Sequence, residues 1–154
     1  MTTAAALIAC ARRFIGVRFA HQGRTPQGLD CLGLLVLTAQ TLGLKIAGID
    51  VASLDIPHYG TRPDAQALRE KLDQHLTPIA LEDVCVGDIV LLKIAGIPQH
   101  LALLSDYPLP GELGMIHAYA PAHKVVEHRY DAHWRKETYA AYRMPGIYGE
   151  DIRS

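Results

Sequence analysis

Few cysteines, no excess of one charge and no long apolar run mark this sequence of 154 residues. Three cysteines are an odd number in a chain long enough to fold without cross-links, so we expect no disulfide framework and look instead for a free reactive thiol. Lysine and arginine number 15 against 16 aspartates and glutamates. Without a basic stripe, no nucleic-acid partner is expected. No apolar run approaches the roughly 20 residues that cross a bilayer, so no membrane span is predicted.

The N-terminus contains a cysteine but lacks the charge order of an export signal. Residues Leu7 to Cys10 look like a bacterial lipoprotein cleavage box. An export signal carries positive charge before its apolar stretch, whereas Arg12 and Arg13 follow it here. We therefore predict no export signal and a first helix that is capped by Thr2 or Thr3.

The remaining patterns predict one α+β domain over residues 1–154, because helical periodicity comes first and short apolar runs follow. A second helix is predicted from Asp30 to about Leu42, ended by Gly43, and a third from Pro63 to about His75, with a long loop over Ala47 to Pro63 between them. The predicted strands are Ile89–Leu92, His100–Leu104, Met115–Tyr119, Lys124–Arg129 and Thr138–Met144, with a turn at Gly96 and Pro98. Five short strands that are joined by turns favour an antiparallel sheet.

Cys31 is the cysteine whose position favours chemistry, because it directly follows Asp30 at the start of the second predicted helix. The positive end of the helix dipole stabilises a thiolate there, and the first N–H groups of a helix can bind an oxyanion. Position alone leaves open that Cys31 is a small core residue behind a helix cap. Cys10 and Cys85 are assigned to the core.

His100 is the candidate base for this thiol, since it is predicted to begin an apolar strand just after a turn. His117 is placed similarly in the following strand and could bond the second ring nitrogen of His100, fixing its tautomer and ring plane. Taken alone, each histidine can equally be a hydrogen-bonded core residue.

In combination these elements resemble the NlpC/p60-type cell-wall cysteine peptidases over nearly the whole chain. The resemblance is carried by Asp30-Cys31-Leu32-Gly33, His100, Ile116-His117-Ala118 and Gly87-Asp88-Ile89-Val90. Further likeness, in His21-Gln22-Gly23 and Tyr142-Arg143, points to the phage-encoded branch. The resemblance implies a papain-like NlpC-type fold, with N-terminal helices packed on a central antiparallel sheet of about five strands.

The resemblance also implies the chemistry. Cys31 would be the nucleophile and an oxyanion donor through its N–H, His100 the base, and His117 the residue that orients it, with no cofactor or metal. The substrate would be a peptide stem of peptidoglycan, cut between D-glutamate and meso-diaminopimelate. A phage-type member would be made in the bacterial cytoplasm, associate with phage tail proteins and act in the periplasm or cell wall.

Two departures from the family pattern affect the predicted site. Many members carry a tyrosine where Phe19 stands, so Tyr59 or His21 would have to supply the missing hydroxyl. The four predicted substrate-binding residues are therefore Asp30, Phe19, His21 and Tyr59, Asp30 being included for its charge.

The second departure is the loop from Ser105 to Gly114, which is longer than usual. It leaves the register of His117 open, with Gln99 and His123 as alternatives for the third catalytic residue.

Three other functions compete with this hypothesis. A zinc site would use His123, His128 and His133, but their five-residue spacing fits neither a helix face nor a strand face, and HExxH is absent. A catalytically silent tail or wall-binding protein would keep the fold alone. An acyltransferase would use the same cysteine and histidine with an amine as acceptor.

Overall fold

A six-stranded antiparallel sheet lies at the centre of the part of the chain that the computed structural model describes, residues 2–46, 49–50 and 62–148. Its strands are Thr77–Ile79 (β1), Ile89–Ile94 (β2), Ile97–Ser105 (β3), Gly114–Tyr119 (β4), Lys124–Arg129 (β5) and Thr138–Arg143 (β6). They pair in the order β5-β4-β3-β2-β6-β1. The described helices are Ala4–Arg12 (α1), Cys31–Leu42 (α2), Arg62–His75 (α3) and Ala132–Glu137 (α4). The predicted α+β class is confirmed.

Short elements complete the described fold. Three two-residue strand pairs join Thr2–Thr3 to Ile147–Tyr148, Arg24–Thr25 to Gly28–Leu29, and Lys45–Ile46 to Ile49–Asp50. Two single-turn 3-10 helices span Leu81–Asp83 and Ala120–Ala122.

The sequence predicts the start of the first helix, at one of its two candidate caps, and both ends of the second helix. Thr3 caps α1, since its hydroxyl accepts a hydrogen bond from the N–H of Ala6 at 3.0 Å. Asp30 caps α2, and Gly43 closes it in the left-handed conformation with φ 64°. Local capping therefore fixes both helices before packing adds to their stability.

Both faces of the sheet are covered. Helices α1, α2 and α3 contribute to a large apolar cluster on one face. The other face carries a smaller cluster that includes Tyr130, just before α4, and Trp134 of α4 packs against it. Ile89 and Leu91 of β2 belong to the first cluster, whereas Val90 and Leu92 belong to the second. Because β2 is buried on both faces, its sequence is a continuous apolar run.

One strand of the central sheet and one α-helix were missed from the sequence, as were the short elements. Strand β1 has three residues and contains Pro78, which a strand tolerates at an edge, where β1 lies. Helix α4 has only six residues, too few for a periodic apolar pattern. The sheet thus has one strand more than the five that the sequence predicted.

The position of His100 is also corrected. Strand β3 begins at Ile97, and the hairpin turn is made by Ala95 and Gly96, which have φ 51° and 78°. Pro98, predicted in the turn, pairs with β2 next to a register shift. His100 therefore lies inside the strand and is buried, rather than at its exposed start.

The long loop predicted between Ala47 and Pro63 falls largely outside the described residues. Among the residues that the structure does describe, no helix combines the length and apolar character needed to cross a membrane.

Candidate active site

A complete side-chain cap fixes the start of α2, where Cys31 is the first helical residue. Oδ1 of Asp30 accepts a hydrogen bond from the backbone N–H of Gly33 at 2.7 Å. Asp30 is 1% exposed, so this bond is shielded from water. The cap fixes the backbone of the first helical turn, and Cys31 lies at the positive end of the helix dipole.

The preceding loop is tied to the same carboxylate. Nη1 of Arg24 donates to Oδ1 of Asp30 at 2.7 Å, and the backbone N–H of Gln22 donates to Oδ2 at 2.9 Å. A side chain at Gly33 would overlap the carbonyl oxygen of Gly23, so only glycine allows this approach. Asp30 thus positions the loop against the helix. The substrate contact that the sequence predicts for it stays a prediction.

A cavity of about 270 Å³ brings Cys31 and His100 together. Both residues are buried, since Cys31 is 4% exposed and His100 is 8% exposed. The rest of its lining is mainly apolar: Phe19, His21, Ile94, Gln99, Ala118, Tyr119, Ala120 and Pro121. Two of the predicted substrate-binding residues, Phe19 and His21, are therefore at the cavity, whereas Tyr59 lies outside the described residues.

Tyr119 lines this cavity and was missed from the sequence. Its ring centroid is 5.9 Å from that of His100 and 4.9 Å from that of His117. Residues two apart on a strand share a face, so Tyr119 could have been predicted to lie on the same side of the strand as His117. Tyr119 brings a phenol to a cavity whose Phe19 position lacks one.

His100 contacts His117, which contacts a third histidine in turn. Nε2 of His100 is 2.6 Å from Nδ1 of His117, and Nε2 of His117 is 2.8 Å from Nε2 of His128. Of the two alternatives to His117, Gln99 also lines the cavity but bonds to the backbone, and His123 lies on the surface. The amide of Gln99 donates to a carbonyl oxygen of β2 at 3.0 Å, and His123 is an exposed turn residue with φ 64°.

Burial keeps both inner histidines neutral near pH 7. It lowers the pKa of His100 to about 4. Burial also lowers the pKa of His117 far below its usual range, and the adjacent His100 and His128 lower it further. A neutral imidazole has a lone pair that can accept a proton from a thiol. The folded site therefore holds His100 in the form that a general base requires.

From the sequence, His128 was considered only as a possible metal ligand with His123 and His133. In the structure His128 lies in β5, His123 lies in the turn before it, and His133 lies in α4. Among the described residues, no three His, Cys, Asp or Glu side chains are arranged to hold a metal ion. The contact of His128 with His117 depends on the pairing of β4 with β5, which the sequence pattern alone does not reveal.

A comparison with known families matches residues 16–143 to the NlpC/P60 family. The chain belongs to this family. NlpC/P60 proteins are peptidoglycan hydrolases of the cysteine peptidase class. In a search of curated proteins, no sequence matches this chain.

Solved NlpC/P60 structures have the same fold. The NlpC/p60 domain of the peptidoglycan hydrolase SagA is 24% identical with a TM-score of 0.60, and the match covers 93% of this chain and all of that domain. A Bacillus cereus NlpC/P60 protein is 18% identical with a TM-score of 0.64, over 92% of this chain but 40% of its own. The Mycobacterium tuberculosis peptidoglycan hydrolase RipB is 18% identical with a TM-score of 0.58, over 92% of this chain and 64% of its own.

Proposed function

We propose that this NlpC/P60 chain is a cysteine endopeptidase that hydrolyses amide bonds in the peptide stems of peptidoglycan, with Cys31 as nucleophile, His100 as base and His117 as the residue that orients His100. The observation that carries the proposal is the cavity that Cys31 shares with His100. The contact between His100 and His117 supports it, because a base must be held in one orientation to take a proton.

The reaction follows from these positions. His100 takes the thiol proton of Cys31, and the thiolate attacks the substrate carbonyl at the positive end of α2, where the helix dipole stabilises the developing oxyanion. The C–N bond then breaks as His100 returns the proton to the leaving amine, and a thioester remains on Cys31. Water deprotonated by His100 attacks this thioester, and the thiol is regenerated.

The cavity suits a stem peptide better than a glycan chain. At about 270 Å³ its volume is just below the usual range of ligand pockets, roughly 300–1,000 Å³, so it can hold only a short segment. Its apolar lining would pack against the peptide, and His21 and Tyr119 offer polar groups at its wall. Within this class we propose the bond between D-glutamate and meso-diaminopimelate.

A digest of purified Gram-negative peptidoglycan tests the reaction, with released fragments identified by mass spectrometry. We expect the wild-type protein to release peptides that begin with meso-diaminopimelate and to leave stems that end at D-glutamate on the glycan. Cys31→Ser should release none. Cys85→Ser is the matched control, because it changes a thiol in a different cavity and should cleave normally. Cleavage by Cys31→Ser would contradict the assignment of the nucleophile.

The same digest separates the two competing functions. Peptidoglycan that binds the wild-type protein but yields no fragments would favour a silent wall-binding protein. Adding a free amino acid as acceptor would reveal an acyltransferase. The glycan-bound stems would then end in an amide of D-glutamate, which is heavier than the hydrolysis product by the mass of the acceptor minus one water.

For the setting of this activity we propose a phage tail, with tail proteins as partners and action in the periplasm or cell wall. Support comes from His21-Gln22-Gly23 and Tyr142-Arg143, which resemble the phage-encoded branch of the family. Mass spectrometry of virions purified after prophage induction of the encoding strain tests this setting. Detection of the protein only in host cell fractions, and not in virions, would contradict the proposed setting.

A further inference from the structure

His128 extends the pair of inner histidines to a chain of three, one from each of three neighbouring strands. His100 lies on β3, His117 on β4 and His128 on β5. At the outer end, Nδ1 of His128 lies 2.9 Å from the backbone carbonyl oxygen of Arg129. That oxygen can only accept a hydrogen bond, so Nδ1 of His128 must carry the proton.

This fixed proton determines the positions of the others while the rings are neutral. With its proton on Nδ1, His128 can only accept at Nε2, so Nε2 of His117, 2.8 Å away, must donate. His117 then has a lone pair at Nδ1 and accepts from Nε2 of His100 across 2.6 Å. Every hydrogen bond in the chain therefore runs outward, from the cavity to the carbonyl of Arg129.

We propose that His128 is a positioning residue that sets the tautomer of His100 through His117, leaving Nδ1 of His100 as the lone pair that takes the thiol proton. The catalytic consequence rests on the proposed function. The opposite tautomer of His100 would carry its proton on Nδ1 and could not accept another there. When His100 is protonated, its Nε2–H still donates to His117, so the chain needs no rearrangement during the reaction.

Trp134 packs against the two outer histidines of the chain. Its ring centroid lies 5.4 Å from that of His117 and 5.7 Å from that of His128. Asp131 caps α4 by accepting from the backbone N–H of Trp134 at 3.2 Å, which fixes the start of the helix that carries the indole. The ring centroid of His133 lies 5.2 Å from that of the same indole. Among the described residues, His133 forms no hydrogen bond or ring pair with the three histidines of the chain.

The proposal is tested by NMR of protein with ¹⁵N-labelled histidine at pH 8, where an ordinary histidine is neutral. In the wild-type protein we expect protons on Nε2 of His100, Nε2 of His117 and Nδ1 of His128. In His128→Phe, which keeps a ring against Trp134 but removes the acceptor, His117 and His100 should show mixed tautomers. A proton on Nδ1 of His117 in the wild-type protein would overturn the proposal, even if the variant does not fold.

Kinetics add a readout that a purely structural role would not give. We expect His128→Phe to lower kcat about tenfold with little change in KM, since a share of the molecules holds the wrong tautomer. His128→Gln, whose amide oxygen can accept from His117, should restore most of the activity. His133→Phe is the control. It makes the same substitution beside the same indole, but His133 is not part of the histidine chain, so kcat should not change.

The two proposals fail in different ways. Expected tautomers without any cleavage would contradict the proposed peptidase and leave the role of His128 intact. Normal cleavage with unchanged tautomers in His128→Phe would contradict the role of His128 and leave the peptidase intact.

Discussion

Cys31 and Cys85 each line a cavity, but the two thiols have opposite surroundings. The Cys85 cavity is the larger, about 480 Å³ against about 270 Å³. Sγ of Cys85 lies 3.4 Å from Oδ2 of Asp88 and 3.2 Å from Nη2 of Arg143. Cys31 instead shares its cavity with a neutral histidine. A neutral histidine beside the thiol, rather than volume or charge, therefore distinguishes the candidate active site.

The two charged groups beside Cys85, Asp88 and Arg143, form an ion pair with each other. Nε and Nη2 of Arg143 donate to the two carboxylate oxygens of Asp88, both at 2.9 Å, and Asp88 is 2% exposed. A guanidinium keeps its proton at any physiological pH and so cannot act as a base. No histidine is among the described residues that line this cavity. The network joins the start of β2 to the end of β6, which is a structural role.

Removing the partner of Cys31 should lower activity, whereas removing the partner of Cys85 should lower stability. The loss of activity is the largest effect that we predict. His100→Asn removes the base, so peptidoglycan cleavage should fall by about 10³-fold, within the usual range for general acid–base catalysis. Thermal unfolding should change little. A cleavage rate within threefold of wild type would contradict the role of His100.

Arg143→Gln is the matched change at Cys85. It leaves the buried carboxylate of Asp88 without its ion pair, so the free energy of unfolding should fall by roughly 3 kcal/mol. Cleavage by the protein that remains folded should be close to that of wild type. A loss of cleavage as large as that of His100→Asn, at full stability, would show that the Cys85 network takes part in the reaction.

Acid should affect the Cys31 region through its histidines. Unfolded histidines have a pKa near 6.5, whereas burial lowers the pKa of His100 to about 4. Between these values the unfolded chain binds a proton that the folded chain does not. The contribution of His100 to the free energy of unfolding is therefore complete above pH 6.5 and is lost progressively as the pH falls towards 4.

Two measurements check this pH dependence. Thermal unfolding of the wild-type protein should be more sensitive to acid between pH 6.5 and 4 than that of His100→Asn, which lacks the group. The value of kcat/KM should decline at low pH as His100 becomes protonated and can no longer accept the thiol proton. Equal acid sensitivity of the two proteins would contradict the buried, neutral state of His100.

The smallest predicted effect concerns the cap of α2. Asp30→Asn keeps an oxygen that can accept from the N–H of Gly33. It loses the charge that pairs with Arg24 and the second oxygen, which accepts from the N–H of Gln22. We expect a loss of about 2 kcal/mol in thermal or urea unfolding, with cleavage largely retained. Asp30→Ala, which removes the cap as well, should lose more stability. Abolished cleavage in a fully folded Asp30→Asn would instead indicate a direct contact with substrate.

Much of the local structure could be predicted because its causes are local. Thr3 and Asp30 cap their helices through bonds within three residues, and Gly43 ends α2 by its own conformation. The apolar runs of β2 and β3 likewise indicate strands. Weak local signals explain the misses: β1 and α4 are short, and Pro98 lies in a strand where a turn was expected.

By itself, the sequence determined where the first three helices and most strands form and that Cys31 stands at a capped helix start. Only the tertiary structure decided which side chains meet. His100, His117 and His128 come from three strands, and their contacts depend on pairing, register and the bulge beside Pro98. These are cooperative properties of the whole sheet. The burial that keeps His100 and His117 neutral has the same origin, since it depends on every element packed around them.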